Sequence, residues 1–261
     1  REELWKAFRG YRMELVRLNP AKYIHYGTTH EYLDLMTKDM DSYQYLGWKR
    51  KLLTNYEFGN CAVNNAFIEP AVSLPGNVYV EDSIIGLGVA VGNEVVLSNV
   101  VLENATVPDG VVLHGLIMAD GSYLCRIYGV HDNPKNSANG TFLGTTLRKF
   151  LQRYGLDNSD IWKESVASIW NAELFTAEAS MEAAVKSALN LYRFLSGQAE
   201  KEEIQLWKSK KRYSLNQSFY RADMQKILQW QEEVHKKVKL CNYLKAIRAG
   251  ENAAVSLEKS S

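Results

Sequence analysis

The sequence predicts a mixed β and α fold: a short parallel β-helix of the hexapeptide-repeat kind, followed by an α-helical domain. Three observations carry this. Residues from about 60 to 132 are rich in Val, Ile, Gly and Asn and almost free of Lys and Arg. Aliphatic residues recur there every six positions. From about residue 141 onward, apolar residues change to helical spacing.

The period of six runs through Val89, Val95, Val101, Val107 and Leu113, and in a neighbouring register through Val78, Ile84, Ala90, Val96 and Leu102. Each hexad makes one short strand and a turn, and three hexads complete a coil, giving roughly three to four coils. Stacking places one slot above another, so Val95 and Val101 are expected to point inward. Gly86, Gly92, Gly110, Asn93 and Asn99 suit the corners, where the chain bends. The repeat is imperfect, with Glu103 and Asp109 where Ile85 and Val91 stand. An antiparallel sandwich explains the valines but not a strict six. A dinucleotide fold explains Gly86, Gly88 and Gly92 less well, because the spacing is one residue too long and no helical pattern follows.

Upstream, Leu4, Trp5, Phe8, Tyr11, Leu15 and Leu18 have helical spacing, and Pro20 stops that helix. Residues 23–27 read as a short strand. Thr28 or Thr29 then caps a short helix through residues 31–36. The expected divisions are 1–58 for this segment, 59–135 for the β-helix and 136–261 for the helical domain.

Within the helical domain, Leu143, Leu147, Phe150 and Leu151 form one stripe closed by Gly155. Asn158 or Ser159 caps a turn carrying Ile161 and Trp162. Met181, Val185, Ala188, Tyr192 and Leu195 form a second stripe closed by Gly197. Ser214 and Gln217 have capping-box spacing. A last helix carries Met224, Ile227, Leu228, Val234, Val238, Cys241, Leu244 and Ile247, ending at Gly250. The tail 251–261 is small and polar, a frayed end or linker.

Composition excludes several classes. Of 261 residues, 46% are hydrophobic and 23% charged, as in ordinary globular proteins. Lys+Arg is 31 and Asp+Glu 30, a net charge of +1, which gives no electrostatic case for nucleic acid or an anionic membrane. The basic run Lys208, Lys210, Lys211 and Arg212 reads as a solvated helix end. No apolar run is long enough to span a membrane. Cys61, Cys125 and Cys241 are too scattered for a metal site and read as buried, reduced thiols of a cytoplasmic protein. His25 and His30 are badly spaced to share a metal, His114 reads as a turn or core residue, and His131 begins the loop leaving the β-helix. No metal site is expected. Nor is there a glycine-rich loop with a Lys to cradle phosphate, an HExxH, a CxxC or a GxSxG. The chain begins at Arg1 inside an amphipathic stretch, so the natural protein is expected to extend further in that direction.

Two stretches resemble a known family. Tyr23-Ile24-His25-Tyr26-Gly27-Thr28-Thr29-His30-Glu31-Tyr32-Leu33 is similar to the F-x-H-x-G-T-T-x-E-[YL]-L segment of fucose-1-phosphate guanylyltransferases. Ser168-Ile169-Trp170-Asn171-Ala172-Glu173-Leu174-Phe175, preceded by Tyr154-Gly155-Leu156 and Asp160-Ile161-Trp162, resembles a segment of bifunctional L-fucokinase/GDP-fucose pyrophosphorylases. Tyr213-Ser214-Leu215 and Arg221-Ala222-Asp223 fit the same chains.

The resemblance implies that the β-helix is left-handed. It implies an order of nucleotidyltransferase domain, β-helix, helices and sugar kinase, with both catalytic parts outside this chain. Those flanking domains are the partners it implies; a homo-oligomer is left open. The parent reactions would be phosphorylation of L-fucose by ATP and guanylyl transfer from GTP to L-fucose 1-phosphate, with Mg²⁺. The fragment itself would carry no cofactor and no activity, and would serve structure and assembly. His25, Gly27, Thr28 and Thr29 are the candidate substrate-binding residues, because a glycine and two hydroxyls at a helix start can offer N–H groups to phosphate. A plain strand–turn–helix corner is the competing reading. Competing functions are a stand-alone hexapeptide acyltransferase, with His114 the only candidate base, and a carbohydrate-binding protein using Trp48, Trp162 or Trp170.

Overall fold

The computed structural model describes residues 1–12, 14, 16, 17, 23–133, 140–163 and 166–249. Helix α1 is Glu2–Phe8, far shorter than the predicted span. Leu4, Trp5 and Phe8 are exposed, and a stripe left unpacked among the described residues gives a short helix little stability. Leu15, Leu18 and Pro20 lie outside the described residues. Residues 23–27 do not form the predicted strand, and Tyr23 is exposed with no strand beside it among the described residues. Helix α2, Thr29–Asp34, begins after Thr28 as its N-cap. A π-helical turn, Leu35–Asp39, and a 3₁₀ segment, Met40–Leu46, carry it on to Gly47.

Next comes a parallel β-solenoid of about three turns. Its strands are β1 (Lys51–Thr54), β2 (Ala62–Ile68), β3 (Tyr79–Glu81), β4 (Ile84–Ile85), β5 (Ala90–Val91), β6 (Val96–Ser98), β7 (Val101–Leu102), β8 (Thr106–Val107) and β9 (Val111–Ile117). One face stacks β1, β2, β3, β6 and β9. The far end of β2 stacks with β4 and β7 on a second face, and β5 with β8 on a third. The last coil turns back on itself, because β10 (Tyr123–Gly129) pairs antiparallel with β9.

Ala62, Tyr79, Val96 and Val112 stand in register, so successive coils take 17, 17 and 16 residues. Three full hexads would need about 18. The slots therefore slip by a residue or more per coil. Val63, Val80, Leu97 and Leu113 form one buried ladder, and Ile68, Ile85 and Leu102 another. Val95, Val107 and Leu113 are inside as predicted. Val101 is only half-buried and Ala90 is exposed, because the slip puts Leu102 in the slot expected for Val101.

Several corners are built from left-handed residues. Asn65, Asp82 and Asn99 stand above one another with φ of 47°, 48° and 53°. Asn104 follows Gly88 in a second left-handed column, and Gly110 follows Glu94 in a third. Asn and Asp enter this region more readily than other side chains. Gly110 and Asn99 thus have the predicted corner role, whereas Gly86, Gly92 and Asn93 are not left-handed. Gly92 instead permits close stacking: a Cβ there would come 2.7 Å from the Asp109 amide nitrogen.

The helical segment opens with a hairpin, β11 (Thr141–Phe142) and β12 (Thr145–Thr146), whose turn holds Leu143 at φ 48°. Leu143 therefore lies outside the stripe of α3, Leu147–Tyr154, which Gly155 closes at φ 62°. Helix α4, Asn158–Ile161, starts after Asp157 rather than at Asn158 or Ser159, and the Asp160 carboxylate accepts from the Asp157 amide at 2.9 Å. Strand β13, Phe175–Thr176, precedes α5, Met181–Leu195. Ser180 caps α5, and Met181, Val185, Ala188 and Leu195 face the core as predicted, while Tyr192 is half-buried. Helix α5 packs on β10 and β9. A Cβ at Gly115 would collide with the Asn99 carbonyl oxygen and lie 2.7 Å from the Met181 side chain.

Helix α6, Lys201–Ser209, leads into β14, Arg212–Tyr213, which pairs antiparallel with β13. Lys208 and Lys211 of the basic run are exposed, as expected of a solvated helix end, while Lys210 and Arg212 are half-buried, and all four are held by partners. Lys208 pairs with Asp160 at 2.7 Å, Lys210 with Glu178 at 2.7 Å and Lys211 with Asp120 at 2.6 Å. Arg212 donates to the carbonyls of Glu173, Trp207, Lys208 and Asp160. Helix α7, Leu215–Arg221, opens with the predicted Ser214–Gln217 capping box.

Helix α8, Met224–Arg248, lies along β1, β2 and β9. Ile227, Val234 and Val238 are buried, but Met224, Leu228, Leu244 and Ile247 of the predicted stripe are exposed, and Cys241 is only half-buried. Much of its attachment is polar, along the Asn65–Asp82–Asn99 corner. Trp230 Nε1 donates to the Asp82 carbonyl at 3.0 Å, Gln231 Nε2 to Asn99 Oδ1 at 3.0 Å, and Asn65 Nδ2 to the Gln231 carbonyl at 3.0 Å. Gly250 and the tail lie outside the described residues. No helix among the described residues is long and apolar enough to cross a membrane.

Candidate functional site

The segment Gly27-Thr28-Thr29-His30-Glu31 folds by local chemistry. Thr28 Oγ1 accepts from the Glu31 amide at 3.2 Å. In return the Glu31 carboxylate accepts from the amides of Gly27 at 2.7 Å and Thr28 at 3.0 Å. This is a reciprocal capping box. The Gly27 amide, then burial working against it, then Thr28 set the balance at Glu31, whose carboxyl is held below its ordinary value.

Leu33 anchors the helix on the outer face of the solenoid, where it packs with Ala62, Tyr79, Val96, Val112 and Val130. This small apolar cluster lies outside the main core. Between the start of α2, this face and α8 runs a cleft of about 640 Å³. Gly27, Thr28 and Thr29 line one wall, and Gln231 of α8 closes another.

The floor is a polar ladder. Asn64, Glu81, Ser98 and His114 stand in register on successive coils, and Arg126 of β10 pairs with His114. Tyr79 Oη and Ser98 Oγ each donate to the Glu81 carboxylate at 2.7 Å. Asn65 Nδ2 donates to Asp82 at 2.6 Å. Burial raises the Asp82 carboxyl above its usual value, against the lowering effect of Asn65. His114 Nδ1 lies 2.5 Å from Arg126 Nη2 and must accept, because a guanidinium only donates. Burial first, and the Arg126 charge second, push the His114 imidazole down to about 3, so it is neutral. Arg126 Nε is buried with no acceptor among the described residues.

The charged side chains lining the cleft are Glu81 and Asp82, and the Arg126 guanidinium lies behind its floor against His114. Such a surface suits uncharged hydroxyls better than a triphosphate. Three of the four sequence-predicted site residues, Gly27, Thr28 and Thr29, come together here, but Glu31 already engages the amides expected to serve phosphate. His25 is exposed, stacks on Tyr23 at 6.1 Å and is not part of the cleft wall. Sequence reasoning missed Glu81, Ser98, Arg126 and Gln231. A search at periods of 17 and 16 would have aligned Glu81, Ser98 and His114. Trp162 does not present a sugar platform: it is buried, with Nε1 donating to the Ser168 carbonyl at 2.8 Å.

The fold and cleft define a β-solenoid protein with a helix-covered polar face. The family model described as the fucose pyrophosphorylase domain matches residues 1–180, and the chain belongs to that family. It is 24% identical over 262 residues to the human fucose-1-phosphate guanylyltransferase, covering 92% of this chain and 42% of that protein. The mouse fucose-1-phosphate guanylyltransferase is 24% identical over 216 residues, 73% of this chain and 36% of that protein. The bifunctional fucokinase/GDP-fucose pyrophosphorylase of Arabidopsis thaliana is 41% identical over 97 residues, 34% of this chain and 9% of that protein. The chain thus spans less than half the length of the curated relatives it matches. No solved structure matches.

Proposed function

We propose that this chain is the solenoid-and-helix portion of an enzyme that makes GDP-L-fucose, and that its work is structural and assembling. In the parent reaction a phosphate oxygen of L-fucose 1-phosphate attacks the α-phosphorus of GTP, and pyrophosphate leaves. The nucleotide loop and the Mg²⁺ ligands belong to a nucleotidyltransferase domain, and a sugar kinase using ATP is the other flanking partner. The protein is cytoplasmic. Support comes from the family membership and the printed functions of the relatives.

The observation that carries the structural role is the Glu31 carboxylate on the amides of Gly27 and Thr28. A carboxylate at that place repels a phosphate and closes the anion site that the segment would otherwise offer. In the cleft, Glu81 accepts from Tyr79 and Ser98, and Asp82 accepts from Asn65. No step of guanylyl transfer is assigned to these residues.

Isothermal calorimetry and a product assay test this reading. The chain alone is expected to form no GDP-L-fucose from GTP and L-fucose 1-phosphate. It is expected to bind GTP more weakly than about 1 mM, or only about −4 kcal/mol. Micromolar GTP binding to this chain would overturn it.

A further inference from the structure

His30 of α2, Glu94 at a solenoid corner and His131 just after β10 are far apart in sequence. The fold brings one ring nitrogen of each histidine and one Glu94 carboxylate oxygen within 4.8 Å of one another. The two imidazoles lie 4.4 Å apart between centroids. His131 Nε2 is 3.6 Å from Glu94 Oε2. His30 and Glu94 are half-buried, and the Nδ1 of His30 is buried without a partner among the described residues. His30 Nε2 faces Asp34 Oδ2 at 3.6 Å, and Asp34 is also held by Lys38 at 2.7 Å.

We infer that His30, Glu94 and His131 form a binding site for a divalent transition-metal ion of the zinc type. Two imidazoles and one carboxylate make a donor set suited to zinc, which takes nitrogen at about 2.0–2.1 Å and oxygen at about 2.0–2.2 Å. The ligand atoms need only close modestly around an ion to reach tetrahedral spacing, with solvent as the fourth ligand. Asp34 against His30 is the carboxylate–histidine pairing that orients metal-binding imidazoles. Glu94 holds φ 55°, a conformation unusual for a side chain of its type, and this backbone turn carries its carboxylate to the two rings. An ion here would tie α2 to the solenoid corner and to the chain leaving β10. The inference does not depend on the enzyme reading above.

The test uses the tag-free chain, stripped with EDTA and titrated with Zn²⁺ alone and then Co²⁺ alone. One equivalent of Zn²⁺ is expected to bind and to raise the melting temperature. His131→Ala, at an exposed position, should weaken binding by at least about tenfold, and Asp34→Asn by about tenfold. His235→Ala should leave it unchanged. Co²⁺ should give the visible d–d bands of a tetrahedral ion and no thiolate charge-transfer band. Absence of stoichiometric binding, or binding that survives His131→Ala, would overturn the inference. So would a thiolate charge-transfer band, which would put the ion on a cysteine.

Discussion

Lys211 Nζ lies 2.6 Å from Asp120 Oδ2, joining the link between α6 and β14 to the turn between β9 and β10 across 91 residues of sequence. The pair is one of three that clasp the basic run to the rest of the chain.

That clasp predicts acid sensitivity. Lys211, then Ser122, hold the Asp120 carboxyl well below the ordinary carboxylate range. Burial raises Glu178 and Asp160, but Lys210 with Ser187, and Lys208 with the Asp157 amide, outweigh it and lower both. A carboxyl depressed in the folded state stabilises above its unfolded value of about 4 and loses that contribution as pH falls through the folded value. Melting temperature should therefore drop progressively below about pH 4. Burial raises Asp82 and Asp132 instead, which act with the opposite sign above the ordinary value. The clasp is isolated by difference: Asp120→Asn should melt lower at pH 7 and show a shallower acid slope. Parallel slopes for the two proteins would contradict this.

Urea unfolding separates the two candidate ladders. Leu102 is buried beneath Ile85, so Leu102→Ala should cost about 2–5 kcal/mol. Val101 is half-buried, so Val101→Ala should cost under about 1.5 kcal/mol. Equal losses would mean that the coil length of 17 is wrong at this position.

The cap of α2 is expected to behave as a local device. Thr28→Ala removes the acceptor for the Glu31 amide and should cost about 1 kcal/mol, with Thr28→Ser restoring most of it. Amide hydrogen exchange should rise within residues 29–34 and not in β6. Faster exchange spread over the solenoid would argue against the local reading.

Thiol reactivity should rank the cysteines. Burial pushes the Cys125 thiol up to about 12, against the lowering effect of Arg126, and burial also raises Cys61. Only a thiolate attacks, so both should resist iodoacetamide at pH 8 while half-buried Cys241 reacts. Mass spectrometry of the native protein should find the first label on Cys241; a first label on Cys125 would refute the buried placement.

The repeat was legible in sequence because aliphatic side chains must recur wherever a coil closes on its core. Val95, Val107 and Leu113 follow from that alone. The coil length was not legible, since it depends on how sharply each corner turns. Asn65, Asp82 and Asn99 turn one corner in left-handed backbone, which a hydrophobicity pattern does not register. Of the cleft, Thr28 and its capping box could be read locally, because all partners lie within four residues. Glu81, Ser98 and His114 meet only through the stacking of coils. His30, Glu94 and His131 come from three separate elements and left no periodic trace.

Helix α8 gives the stack a mechanical character. Its polar rungs reach Asn99, Asp82 and Asn65, and further on Asn242 Nδ2 donates to the Thr54 carbonyl at 3.2 Å and Lys245 Nζ to that of Asn55 at 2.9 Å. The helix therefore acts as a splint nailed to consecutive rungs. A pull along it loads those rungs in shear, all together, and none can be peeled away first. Drawn apart in an optical trap from the end of α8, the solenoid is expected to give way in one rip; a sawtooth of separate coil releases would show that the splint carries no load.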